Sequence, residues 1–194
     1  MAVDRSGKFI LVNNHDATVD IYSQMKSHLV ASLAGTLRAY AESANQIVIM
    51  AQQSLSVSSI TLWDKPSQKA LYQKTDSRLL KPLAIANDGR VYFLQQDPDH
   101  PESILRFIDP KTHAVSDVAR LSLSAEPQVM TRAADGTLAL GLQDGVVTVV
   151  SPDGQQVTGF QAAYSPIGGI SFTLDGRYLA VASAEGIRIF AVLP

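Results

Sequence analysis

The stretch FTLDGRYLAVASAEGIRIF, Phe172 to Phe190, reads as the end of one β-strand, a tight turn, a second strand, another turn and a third strand. Asp175-Gly176 makes the first turn, because glycine accepts positive φ and aspartate bonds its own local backbone. Tyr178 to Val181 is a short apolar run of strand length, and Glu185-Gly186 makes the second turn. Ile187 and Ile189 then alternate with Arg188, the period of a strand. Whether this unit stands alone or is one copy of several decides the fold.

It is one of several. SGKFILVNNHDATVDIY (Ser6 to Tyr22) and DGTLALGLQDGVVTVV (Asp135 to Val150) share its outline. DGRVYFLQQDPDHPESILRFID (Asp88 to Asp109) has a longer second turn, and SANQIVIMAQQSLSVSSITLWD (Ser43 to Asp64) is the most worn copy. The turn glycines Gly7, Gly89, Gly136 and Gly176 lie 82, 47 and 40 residues apart, the first interval being two units with the worn copy between. A period near 40 to 47 carried by short strands points to the blades of a β-propeller.

The apolar runs Phe9 to Val12, Ile47 to Met50, Val91 to Leu94, Leu138 to Leu140 and Tyr178 to Val181 fit strands buried on both faces, as when blades stack. Third strands alternate: Val19, Ile21; Ile60, Leu62; Leu105, Phe107; Val147, Val149; Ile187, Ile189. A helix over Ser27 to Ala44 is interrupted by Gly35, so the chain reads as all-β. Residues 1–194 form a single β-propeller or propeller fragment of about five four-stranded antiparallel blades, at 1–34, 35–76, 77–124, 125–164 and 165–194. The last blade lacks its outer strand.

SITLWD, Ser59 to Asp64, resembles the third strand of a WD-repeat blade, which ends in Trp-Asp, and FTLDGRYLAVASAEGIRIF is similar to the run that precedes it. The resemblance covers the chain as five imperfect copies and implies propeller architecture with a role in protein interaction. Only Trp63-Asp64 keeps the dipeptide, and none of the four histidines follows a glycine. The buried His–Ser/Thr–Asp–Trp hydrogen-bond chain of many WD repeats therefore cannot recur here. The chain is also similar to looser bacterial propellers of the seven-bladed surface-layer or lactonase type. IDPKTHAV (Ile108 to Val115) and VSPDGQQVTGF (Val150 to Phe160) have that pattern.

In such propellers the outer strand of the last blade commonly comes from the N-terminus. Here the chain begins within a first strand and ends at Pro194, after a third. Three arrangements follow: a piece of a longer, seven-bladed ring; a chain completed by another polypeptide; or a closed five-bladed ring with one three-stranded blade. An open edge would expose unpaired backbone and invite strand addition.

Composition narrows the chemistry. The hydrophobic fraction of 46% and charged fraction of 18% are those of a globular chain. A formal net charge of −2 gives no field for a polyanion, so no nucleic-acid partner is expected. No cysteine is present, which removes disulfides, thiolate metal sites and cysteine nucleophiles. No signal peptide is visible, which favours the cytoplasm, with the periplasm open if the chain is truncated. No apolar run of about 18 residues spans a membrane.

His15, His28, His100 and His113 form no HExxH pair. His15, Asp16, Asp97, Asp99, His100, Asp144 and Glu185 fall at second turns, where a rim metal site is conceivable, although tight turns use these residues anyway. No GxSxG elbow, Walker loop or dinucleotide fingerprint occurs. Trp63 is expected between blades. No catalytic residue, cofactor or metal is assigned. The expected function is a non-catalytic protein-interaction scaffold. Partners would dock on the DPDHPES loop (Asp97, Asp99, His100, Glu102) or on the open edge (Ile187, Arg188, Ile189). The alternative is a metal-dependent propeller hydrolase of lactonase type.

Overall fold

In the computed structural model of the chain, residues 2–3, 7–23, 28–43, 45–54, 57–76, 80–86, 88–96 and 100–192 are described. Among them are nineteen strands in five antiparallel sheets, and no helix long and apolar enough to cross a membrane. Sheet I holds β1 (Ala2–Val3), β2 (Phe9–Asn13), β3 (Thr18–Ser23) and β4 (His28–Ala34). Sheet II holds β5 (Thr36–Glu42), β6 (Gln46–Gln52), β7 (Ser58–Asp64) and β8 (Lys69–Asp76). Sheet III holds β9 (Leu80–Ile85), β10 (Val91–Gln96), β11 (Ser103–Ile108) and β12 (Val115–Leu121). Sheet IV holds β13 (Pro127–Arg132), β14 (Leu138–Leu142), β15 (Val146–Val150) and β16 (Val157–Gln161). Sheet V has three strands among the described residues, β17 (Ile167–Phe172), β18 (Tyr178–Ser183) and β19 (Gly186–Ala191). The all-β expectation, with a last sheet of three strands, matches this order.

The chain divides into two compact units, Met1–Asp99 with Ile108–Ala114, and His100–Phe107 with Val115–Pro194. In the first, Phe9, Leu11, Val19 and Ile21 of sheet I pack against Ile47, Ile49 and Trp63 of sheet II. In the second, Ala139 and Val147 of sheet IV pack against Leu179 and Val181 of sheet V, with Ile167 fully buried between them. Fully burying one such aliphatic side chain contributes about 1.5–3 kcal/mol, so the stacking of one sheet on the next supplies the core.

The second strand of each sheet records whether it is covered on both sides. Ile47 to Ala51 of β6 and Leu138 to Leu142 of β14 are buried without interruption. In β2 and β18 burial alternates instead: Phe9 and Leu11 are buried but Ile10 and Val12 half-buried, and Leu179 and Val181 are buried but Tyr178 exposed.

Turn chemistry is uniform. Asp88, Asp135, Asp144, Asp153 and Asp175 each accept a hydrogen bond from the backbone N–H two residues on, at 2.9–3.1 Å. A glycine at positive φ follows every one of them. Asp64 and Asp109 serve longer turns, accepting from the backbone and hydroxyl of Ser67 and Thr112. Gln68 and His113 close those turns in the left-handed region, at φ 55° and 58°. Gly145, at φ +85°, is one of two tightly enclosed turn glycines of sheet IV, the other being Gly154. A Cβ on Gly145 would run into the carbonyl of Ala163, whose N–H donates to the Gly145 oxygen. Gly186, at φ +117°, has open space around the same position.

Two outcomes follow. Gly145→Ala should cost more than Gly186→Ala, because the second substitution carries only the backbone penalty of about 1–2 kcal/mol and the first adds a backbone collision. Urea unfolding of the two variants compares them, and equal losses would contradict the geometry. The second outcome concerns pH. The carboxyls of Asp109, Asp153 and Asp175 are held below the ordinary value, chiefly by the Thr112 N–H, the Ser151 hydroxyl and the Thr173 hydroxyl respectively. Their contribution is therefore complete above the unfolded aspartate value of about 3.9 and is lost as pH falls through the lower folded values. An Asp153→Asn/Asp175→Asn variant should lose less stability between pH 5 and pH 2.5, about one unit either side of that value, than the parent, measured by the urea midpoint.

Candidate functional site

The distinctive surface of the second unit is built by β19. Antiparallel pairing sets Ile187 opposite Ala182, Arg188 opposite Val181, Ile189 opposite Ala180 and Phe190 opposite Leu179. Alternation then separates two faces. Arg188 and Phe190 share a face with the buried Leu179 and Val181, directed at sheet IV, where the Phe190 ring lies 4.9 Å from that of Phe160. Ile187 and Ile189 point the other way and remain 74% and 70% exposed. The two isoleucines thus form an adjacent exposed apolar pair on one face of β19.

Of the three residues expected on this edge, Arg188 is already engaged. Its Nη1 donates to the Ala162 carbonyl at 2.6 Å and its Nη2 to Glu185 Oε2 at 2.9 Å. Glu185 Oε1 in turn accepts the Tyr164 N–H at 2.6 Å. The pair thus ties the hairpin of sheet V to the connection leaving β16. Spacing along the strand could have assigned Arg188 to the opposite face, but not its bond to the Ala162 carbonyl, 26 residues away in the chain.

The backbone of β19 carries a second feature. Val192 N–H donates to the Arg177 carbonyl at 2.8 Å. Because hydrogen-bonded pairs alternate along an antiparallel ladder, the register turns the N–H and C=O of Ile187, Ile189 and Ala191 away from β18. No strand pairs with that side among the described residues. At the end of β19 lies a groove of about 870 Å³, whose walls include Val149, Thr158, Tyr178 and Val192. Asp135 and Asp175 stand at its rim, where both are occupied by their own turns.

The second expected surface is only partly described. Asp97 and Asp99 lie outside the described residues. His100 is exposed, and Glu102 is half-buried and accepts a 3.4 Å hydrogen bond from the Ser122 hydroxyl.

The rim carboxylates are bound locally. Asp16 accepts from the Thr18 hydroxyl at 2.7 Å, Asp144 holds its own turn, and Glu185 is taken up by Arg188 and the Tyr164 N–H. Among the described residues no three His, Asp or Glu side chains gather as metal ligands. Trp63 is buried between sheets I and II, and its indole N–H has no hydrogen-bond partner among the described residues. The tryptophan therefore contributes as apolar bulk.

One buried carboxylate was not singled out from the sequence. Asp20, in the middle of β3, is nearly buried and accepts the Tyr22 hydroxyl at 3.2 Å. Hydrogen bonds from Ser32, then from Asn14 and Tyr22, hold its carboxyl below the ordinary range, and Asp20 raises the Tyr22 phenol in return. The available signal was an acid between Val19 and Ile21, on the face of β3 opposite the core.

No protein-family model matches the chain, and no curated protein sequence matches it. Solved structures do. The β-propeller domain of Cps50 (Swd1) from Myceliophteria thermophila is similar at a TM-score of 0.64 and 17% identity, over 98% of this chain and 63% of that one. The computationally designed Ika8 protein is similar at 0.65 and 16% identity, over 99% of this chain and 57% of that one. The chain thus spans about three-fifths of the length of these structures. At such identity the likeness establishes architecture alone, and the architecture is that of a β-propeller.

Proposed function

We propose that the chain is a non-catalytic protein-interaction module of WD-repeat-like type, which takes an extended segment of another protein as an added strand beside β19. The observation that carries this is the row of backbone groups at Ile187, Ile189 and Ala191, directed away from β18 on a strand with no outer neighbour among the described residues. In sheets I, II and IV the third strand pairs with a fourth. Edge backbone of this kind binds extended peptides through main-chain hydrogen bonds, with alternate side chains setting specificity. The fourth strands already present indicate the chemistry that fits. In β16, Phe160 pairs with Val147, stacks on Phe190 and is the one residue of the strand that is not exposed. An incoming segment needs apolar residues on the face that is covered, and strand alternation leaves polar residues between them. The loop carrying His100 and Glu102 is a second proposed docking surface.

Panning a random-peptide phage library on the immobilised chain tests the edge. Peptides alternating apolar and polar residues should be enriched. Ala191→Pro should abolish their binding, since it removes an outward N–H and leaves the β18 ladder bonds in place. Enrichment that survives this substitution would place the site elsewhere. The rival reading, a metal-dependent hydrolase, predicts stoichiometric calcium or zinc after equilibrium dialysis. The interaction module predicts none, and no change in metal content for Asp16→Asn.

A further inference from the structure

Away from the β19 edge, a groove of about 530 Å³ opens between the end of β12 and the outer half of sheet IV, within the size of small-ligand sites. Arg120 and Ser124 line it from the β12 side, and Val146, Thr148, Val157 and Gly159 line it from sheet IV. Its floor follows from strand pairing. Thr148 of β15 stands opposite Gly159 of β16, which has no side chain to lay over it. A Cβ on Gly159 would meet nothing nearer than Val146 Cγ1, at 3.8 Å. Thr148 is only 7% exposed, and its hydroxyl has no hydrogen-bond partner among the described residues. A hydroxyl so placed costs stability unless a group entering the groove bonds it.

The remaining polar groups divide into those in use and those free. Gln161 spends both amide hydrogens on the Asp144 and Ala163 carbonyls, and the Ser122 hydroxyl is donated to Glu102 at 3.4 Å. Arg120 and Ser124 have no partner among the described residues. The groove therefore presents one guanidinium and two hydroxyls as uncommitted donors, and Arg120 is the one charged residue that lines it. A guanidinium has no acceptor, and its planar fork matches a carboxylate.

Charge and shape then narrow the ligand. With a single cation in the groove and the Glu102 carboxylate behind Ser122, one negative charge is balanced. A phosphate monoester, at about −1.5 to −2 near neutral pH, is not. Beside the donors lie Val157, 42% exposed, and the half-buried Val146. A ligand that meets both halves carries one carboxylate next to an aliphatic group.

We propose that this groove binds such a carboxylate, with Arg120 taking the charge, Thr148 and Ser124 bonding its oxygens, and Val146 and Val157 holding the aliphatic part. A protein C-terminus ending in leucine, isoleucine or valine and a free branched acid share this chemistry.

NMR of the nitrogen-labelled full chain, titrated with N-acetyl-leucine, tests the site. Saturable shifts are expected at the Thr148 and Gly159 amides and the Arg120 Nε–H, and none with N-acetyl-leucinamide, which lacks the charge. Isopentyl phosphate should bind more weakly than the acid. Arg120→Gln should weaken binding by at least ~10-fold and Thr148→Val by ~3- to 10-fold. Thr148→Val is isosteric and removes a hydroxyl that bonds nothing, so it should melt no lower than the parent. Gly159→Val has room for its Cβ and suits a strand, so it should also fold, yet fill the groove and abolish binding. A pentapeptide ending in leucine separates the two sources: tighter binding than N-acetyl-leucine assigns the site to a protein C-terminus, and equal binding to a small acid. Absence of saturable shifts, equal binding of the amide, or unchanged binding by Arg120→Gln would each overturn the proposal. Ala191→Pro should leave this binding unchanged, so the groove and the β19 edge succeed or fail separately.

Discussion

A sheet that is apolar on both faces has to be covered on both, and the rest of this structure follows from that requirement. Burying each aliphatic side chain contributes about 1.5–3 kcal/mol, and β6 and β14 bury every residue from Ile47 to Ala51 and from Leu138 to Leu142. Such strands cannot belong to a sheet with one wet face. They call for stacking of one sheet on the next, and the chain supplies it with a repeated unit of short strands and tight turns. Small residues make the stacking close: Ile167 occupies the space above Gly141 that any Cβ would fill.

Polar groups are largely consumed in holding that arrangement. The recurrent Asp-Gly turns look like a source of ligands when read along the sequence, but Asp88, Asp135, Asp144, Asp153 and Asp175 each bond the backbone two residues on. Their carboxylates hold the turn, and the glycine behind them takes the positive φ that lets the chain reverse. Glu185 and Arg188 act over a longer distance, bonding the backbone of Tyr164 and Ala162. What remains uncommitted on sheet V is apolar side chain and edge backbone. These are the groups that the proposed association would use.

Much of this was legible residue by residue. Asp-Gly pairs announced the turns, and the apolar runs from Phe9, Ile47, Val91, Leu138 and Tyr178 announced second strands, because both signals depend on neighbours in the chain. Trp63 was legible as a packing residue, although its unpartnered indole N–H was not. The edge near Ile187 was legible from counting strands. Arg188 could not be separated from its isoleucine neighbours in role, because its bond to Ala162 forms only once sheet V lies on the connection from β16. Asp20 escaped notice for the same reason: Ser32, its leading hydrogen-bond partner, comes opposite it only when β3 pairs with β4.

By itself the sequence determined the strands, the turns and the repeat, because these rest on backbone preference and on a hydrophobic period that neighbouring residues set. Tertiary structure alone decided which surfaces that repeat leaves open. Ile187 and Val147 occupy equivalent positions, each facing a small residue across the same hairpin. Yet Val147 is fully buried and Ile187 is 74% exposed. Nothing local distinguishes them. The difference is whether another sheet lies on top, and burial is a property of what covers a side chain, not of the side chain itself.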